Sequence, residues 1–203
     1  MDRIPSEFFK YTPNSSCHLL RMFFMICWTL EAIPRAWDIG IVCPLHKKDD
    51  PLCHDNYRSI TVGNSIERIF STCLYSHLLP TVDPQLHDTQ YGFRSSRSTE
   101  DAIVLVNEAI QAAHKHNTPL YAVFVDFTKA FDTVNWRILF QKMHHHFHIP
   151  HKDIHMISLL YHHIHNYVRI NGKFPPLLSK SFAVSAKATI SLLYSLTCTS
   201  MTY

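Results

Sequence analysis

Leu19, Leu20, Phe23, Phe24, Cys27 and Leu30 recur at intervals of three and four residues, the spacing that lines up one face of a helix. Residues 5–31 therefore read as two helices parted by a turn at Tyr11-Thr-Pro-Asn-Ser, with that apolar face in the core and Pro34 closing the second helix. Ile39-Gly-Ile-Val-Cys-Pro predicts a short strand, Lys47-Lys-Asp-Asp-Pro a solvated loop, and Asn56-Tyr-Arg-Ser-Ile-Thr a second extended segment. Asn64 or Ser65 can cap a helix running to about Leu79, where Pro80 stops it. Ser98 predicts the start of another, reaching about His116. Its hydroxyl and Asp101 form an acidic variant of the capping box, and Glu100 and Asp101 suit the positive end of the helix dipole.

At Leu120 the pattern changes. Leu120-Tyr-Ala-Val-Phe-Val-Asp-Phe is a nearly continuous apolar and β-branched run, which predicts a buried central strand tipped by a carboxylate. Helices follow over 129–144 and 151–165, and Tyr167-Val-Arg-Ile-Asn-Gly-Lys reads as a strand entering a turn at Asn171-Gly172. The mixture is α+β, with no repeat or linker to divide it. Residues 174–203 have no clear period and little charge.

Composition narrows the setting more than the chemistry. At 203 residues and 46% hydrophobic, the chain suits one globular domain or a large piece of one. A formal charge of +3 permits a nucleic-acid partner without requiring it. The six cysteines carry no metal-ligand spacing, which fits reduced thiols with no disulfide-linked partner. The most apolar stretch, Leu19–Ile33, is broken by Arg21 and Glu31 and is shorter than the roughly 20 residues of a membrane span. No secretory leader pattern stands at the N-terminus. The expectation is an intracellular protein, nuclear or cytoplasmic, not secreted and without a membrane partner. The 16 histidines, His144, His145, His146, His148 and His151 among them, invite a metal. Ligand sets need convergent geometry, however, and a helix end fans side chains outward, so a titrating, solvated surface is expected.

A carboxylate at the tip of a buried strand is costly unless compensated, and Asp126 stands in that place. A divalent metal compensates it, since Mg²⁺ takes carboxylate oxygens and bridges to phosphates. An Arg or Lys partner does so too, as does plain exposure at the strand tip; position alone leaves the three open.

The surrounding residues add a resemblance. Phe124-Val-Asp-Phe-Thr-Lys-Ala-Phe-Asp-Thr-Val resembles motif A of reverse transcriptases of the non-LTR (LINE-like) retrotransposon family. The resemblance implies that Asp126 is a catalytic metal ligand and that the backbone carbonyl of Phe127 lies beside the metal. It also implies that Phe131 sits under the incoming sugar and disfavours a 2′-hydroxyl. Asp132 belongs to the motif without a ligand's role. Ile33-Pro-Arg-Ala-Trp-Asp-Ile-Gly-Ile-Val-Cys-Pro-Leu-His-Lys-Lys-Asp-Asp, followed by Asn56-Tyr-Arg-Ser-Ile-Thr, is similar to the fingers region. Lys47, Lys48 and Arg58 thereby become candidates for nucleotide binding, Lys as a point charge and Arg as a bidentate fork. Ser59 stands where the family usually has Pro. Gln90-Tyr-Gly-Phe-Arg-Ser-Ser-Arg-Ser-Thr-Glu-Asp-Ala looks like the block that holds the template, making Arg94 and Arg97 candidates for contacts to the nucleic-acid backbone. Their bland alternative is a solvated loop. The stretch 149–173 resembles palm scaffold.

The resemblance thus implies an α+β fold holding the fingers and a partial palm of a right-hand polymerase, incomplete. Residues 1–173 would be a partial reverse transcriptase domain and 174–203 a divergent tail. The parent chemistry is RNA-directed DNA synthesis, in which a primer 3′-hydroxyl attacks the α-phosphate of a dNTP with two Mg²⁺; the partners are an RNA template, a DNA primer and dNTP. The Tyr-x-Asp-Asp turn that supplies the family's other carboxylates occurs nowhere in the 203 residues, nor do the Gln-Gly and Leu-Ser-Pro elements of motif B follow Lys173. The expectation is a reverse transcriptase domain cut off before its catalytic core is complete and unable to polymerise DNA alone. The alternative is a non-catalytic remnant of a decayed element that binds RNA or RNA–DNA hybrid. Back-translated and read from each codon's third base, Ala183–Tyr203 permits a motif B-like run, which suggests a frameshift between Lys173 and Ala183. The gene's codons decide that point.

Overall fold

The computed structural model describes residues 4, 6–11, 14–53, 56–127, 134–162 and 165–168. In order these form helix α1 (Ser6–Tyr11), helix α2 (Asn14–Leu30), a 3-10 turn (Arg35–Asp38), strands β1 (Ile39–His46) and β2 (Tyr57–Val62), and helix α3 (Ser65–Val82). A second 3-10 turn (Asp83–Gln85) follows, then helices α4 (Thr99–Lys115), α5 (Trp136–His145) and α6 (His151–His162), and strand β3 (His165–Val168). Mixed helix and sheet agree with the α+β expectation.

The sheet has the order β2-β1-β3. β1 and β2 pair antiparallel, Ile41 opposite Val62 and Leu45 opposite Arg58. β3 pairs with β1 in parallel, Ile39 opposite His165. Beside the sheet the core is helical. Phe70, Leu74, Leu78 and Val82 repeat every fourth residue along α3 and meet Leu139 and Met143 of α5 and Met156, Ile157 and Leu160 of α6. Phe147 and Ile149, in the α5–α6 connection, are also fully buried. At the far end of that hairpin Trp136 stacks on Tyr161, ring centroids 4.5 Å apart.

Helix ends follow local chemistry. The Asn64 side chain accepts from the Ile66 N–H at 3.0 Å and opens α3. Ser98 and Asp101 form a reciprocal capping box at α4, as expected. Three boundaries differ from the sequence reading. α3 does not stop at Pro80 but runs on to Val82, because the proline falls in the last turn, where few backbone bonds are lost, and Val82 is pulled into the core. α5 begins at Trp136 rather than at 129, with the Asn135 side chain accepting from the Ile138 N–H at 3.2 Å; residues 128–133 lie outside the described set. α6 stops at His162, so His165 belongs to β3.

Packing also corrects the apolar assignments. On α2, Cys27 is buried and Phe23, Phe24 and Trp28 border the core, whereas Leu19 and Leu30 lie off that stripe and are exposed. The larger correction is the central strand. Residues 120–127 form neither helix nor ladder among the described residues, and Tyr121, Val123 and Phe124 are 89, 87 and 86% exposed. An apolar run becomes an interior strand only when neighbours pair with both its edges and layers cover its faces, and the described residues provide neither. The turn at Asn171-Gly172 and the proposed tail, 174–203, lie outside the described residues.

Candidate functional site

The β1–β2 hairpin carries three of the basic candidates. Its loop is tied internally. The Lys47 N–H donates to the Asn56 carbonyl at 2.8 Å, the Asn56 amide to the Asp50 carbonyl at 2.9 Å, and the Tyr57 hydroxyl to the Pro51 carbonyl at 2.9 Å. The Leu52 N–H donates to the Asp50 carboxylate at 2.9 Å, and the His46 ring packs on Tyr57 with centroids 5.2 Å apart. Lys47 and Lys48 are thereby exposed at the start of a braced loop, and Arg58 is exposed on β2. Held lysines at a loop tip lose less freedom on binding an anion than lysines on a floppy one.

The second basic segment is built differently. Arg94 is drawn inward, its side chain only 8% exposed. Nε donates to Asp83 Oδ1 at 2.9 Å, one terminal nitrogen to the Asp83 carbonyl at 3.1 Å and Oδ2 at 3.3 Å, and the other to the His87 carbonyl at 3.0 Å. Its fork pins the loop before α4 to the 3-10 turn after α3. Arg97 donates to the Asp88 carbonyl and, at 3.3 Å, to the Asp88 carboxylate, while its guanidinium lies 5.8 Å from the Tyr91 ring centroid. Phe93 and Ser96 hold left-handed backbone, φ 62° and 59°, as the loop turns between these anchors. Of the two arginines, Arg97 keeps the more open face.

Asp126 is exposed, and none of the described lysines or arginines pairs with it. Phe127, whose carbonyl the resemblance to motif A implies lies beside a metal, is 46% exposed. Phe131 and Asp132 lie outside the described residues. Among the described residues no group of three His, Cys, Asp or Glu side chains could hold a metal ion. The structure thus gathers Lys47, Lys48 and Arg58 on one hairpin and Arg94 and Arg97 on one loop, with Asp126 on a third segment.

Sequence reasoning passed over two buried carboxyls. Glu67 is 3% exposed, and burial pushes its carboxyl up to about 7, against the pull of the Asn64 N–H and the charge of Arg68. The signal was legible, for Asn64-x-x-Glu67 is capping-box spacing. Asp153 of α6 is likewise raised by burial, while the nearby His77, 3.6 Å away, and Lys152 draw it down. His77 and Lys152 both lie against Trp28, at 5.7 Å and 5.5 Å, and so stitch α3 and α6 to α2. No helix of the described residues is long and apolar enough to cross a membrane.

Two comparisons bear on this arrangement. Over 140 residues the chain is 27% identical to the probable RNA-directed DNA polymerase from transposon X-element of Drosophila melanogaster, an alignment covering 68% of this chain and 15% of that protein. Over 137 residues it is 24% identical to the probable RNA-directed DNA polymerase from transposon BS of the same organism, covering 66% of this chain and 15% of that protein. The chain therefore spans about 15% of the length of these relatives. A family model described as reverse transcriptase (RNA-dependent DNA polymerase) matches residues 45–178, a span that takes in Lys47, Lys48, Arg58, Arg94, Arg97 and Asp126. With about two thirds of its length inside that model, the chain belongs to the reverse transcriptase family.

Proposed function

We propose that this chain is the fingers and first part of the palm of an RNA-directed DNA polymerase of a non-LTR retrotransposon, able to hold nucleic acid but not to polymerise. Residues 1–173 form the enzyme-derived part and 174–203 a divergent tail. The observation that carries the reading is the braced β1–β2 hairpin, which presents Lys47, Lys48 and Arg58 to solvent inside the span matched by the family.

In this reading Lys47, Lys48 and Arg58 contact triphosphate or template phosphates, and Arg97 contacts the template backbone over Tyr91. Arg94 serves the same surface from behind, through the loop it pins, and Phe131 checks the sugar. Asp126 and the Phe127 carbonyl offer one side of a magnesium site. A two-metal site needs carboxylates from both sides of an ion pair roughly 3.5–4 Å apart. The described residues supply a single carboxylate at that place and do not fit the pair. A related reading is a non-catalytic remnant that binds RNA or RNA–DNA hybrid through the same exposed lysines and arginines.

Filter-binding of a single-stranded RNA and of an RNA–DNA hybrid at two salt concentrations, beside a template-dependent dNTP incorporation assay, tests the proposal. Binding should weaken as salt rises, and Lys47→Ala with Lys48→Ala should lower the slope of log affinity against log salt by about 0.7 per lost phosphate contact on a single strand. Incorporation should stay at background. Measurable incorporation overturns the non-catalytic reading, and salt-insensitive or absent binding overturns the phosphate roles.

A further inference from the structure

The corner between α5 and α6 holds a second cluster of polar side chains, unrelated to the basic loops. Five histidines fall within residues 144–151. The sequence alone suggested side chains fanning into water, and His145, His146, His148 and His151 are indeed exposed, but the backbone turns so tightly here that His144 is half-buried. The Phe147 N–H donates to the Lys142 carbonyl at 3.2 Å and the Ile149 N–H to the Met143 carbonyl at 2.9 Å, with His148 in left-handed backbone at φ 54°. Phe147 and Ile149 plug the corner into the core. As a result His144, in the last turn of α5, meets His151, the first residue of α6, with ring centroids 3.8 Å apart and planes inclined by 30°. His145 lies 5.0 Å from His144 on the other side.

The half-buried His144 is also oriented. Its Nδ1 lies 3.3 Å from the Ile149 carbonyl, so that nitrogen carries the proton and donates, leaving Nε2 with a free lone pair. This is the arrangement that supports a metal-bound imidazole, in which the far ring nitrogen is tied to a carbonyl that fixes tautomer and ring direction. His151 is exposed.

From this geometry we infer that the α5–α6 corner is a binding site for one borderline transition-metal ion, Zn²⁺ or Cu²⁺, held by the imidazoles of His144 and His151. Imidazole suits these ions and not magnesium, and the order of divalent affinities favours copper. Because no third described ligand converges there, water completes the coordination shell. An ion so placed clips the end of α5 to the start of α6.

Titration calorimetry of Zn²⁺ and of Cu²⁺ into the full chain, with Mg²⁺ as control, tests this. One strong equivalent of Zn²⁺ or Cu²⁺ is expected, with no heat from Mg²⁺. His144→Gln with His151→Gln should weaken it about tenfold or more, whereas His114→Gln with His116→Gln, on exposed residues at the end of α4, should leave it unchanged. The single variant His151→Gln, at an exposed position, guards against loss of folding and should weaken binding alike. Electron paramagnetic resonance of the copper complex should show two nitrogen ligands, and zinc should raise the melting temperature of the wild type but not of the double variant. Equal loss in the α4 control, or unchanged binding in His151→Gln, overturns the site.

Discussion

Glu67 has the sharpest physical signature of any single side chain here. Its folded carboxyl takes up a proton up to about pH 7, whereas an ordinary glutamate ionises near 4.5. Since folding raises this value, the stabilising neutral form counts fully below pH 4.5 and is lost as pH rises toward 7. The chain should therefore be less stable at pH 8 than at pH 5, by about 2–3 kcal/mol from this group. Asp153, also raised by burial, adds in the same direction. Urea unfolding at the two pH values should show Glu67→Gln removing the larger part of the difference; a variant with the wild-type pH dependence contradicts the assignment. The spacing of Asn64 and Glu67 was readable in the chain, but that the carboxyl is buried depends on how the rest of the chain packs on α3, which no local pattern reveals.

Elements proved legible where they carry their own ends. α4 was predictable because Ser98 and Asp101 satisfy each other within one turn, and the β1–β2 pair because each strand is bounded by turn residues. The run at 120–127 was misread for the opposite reason, since an interior strand is a property of its neighbours. Arg94 shows the same split: its presence in a family-like block was visible, but its use was not. Its guanidinium holds Asp83 and His87, so Arg94→Ala should cost about 2 kcal/mol or more through lost charge-assisted hydrogen bonds. Arg94→Lys should recover little, because an ammonium cannot reproduce the fork. Thermal melts of both variants check this, and a lysine variant with wild-type stability would rule out the bidentate anchor.

Across the described residues, apolar side chains are left facing water on α2, on α4 and in the run at 120–127, among other places. Ile103, Val104, Leu105, Val106 and Ile110 of α4 are exposed, and so are Val123, Phe124 and Val125. Monomeric soluble proteins rarely tolerate contiguous patches of this kind. The chain should therefore self-associate at micromolar concentrations and above. Val106→Lys combined with Val123→Lys should shift the species seen by size-exclusion chromatography with light scattering toward monomer. A wild type that elutes as a monomer throughout the micromolar range would count against this.

The parallel pairing of β3 with β1 sets a timetable for synthesis. Ile39 finds His165 only after 126 further residues have been added to the chain. At roughly 5–20 residues per second, the free edge of the hairpin waits on the order of 6–25 s for its partner. Throughout that interval a nascent chain must be shielded from neighbouring nascent chains on the same message.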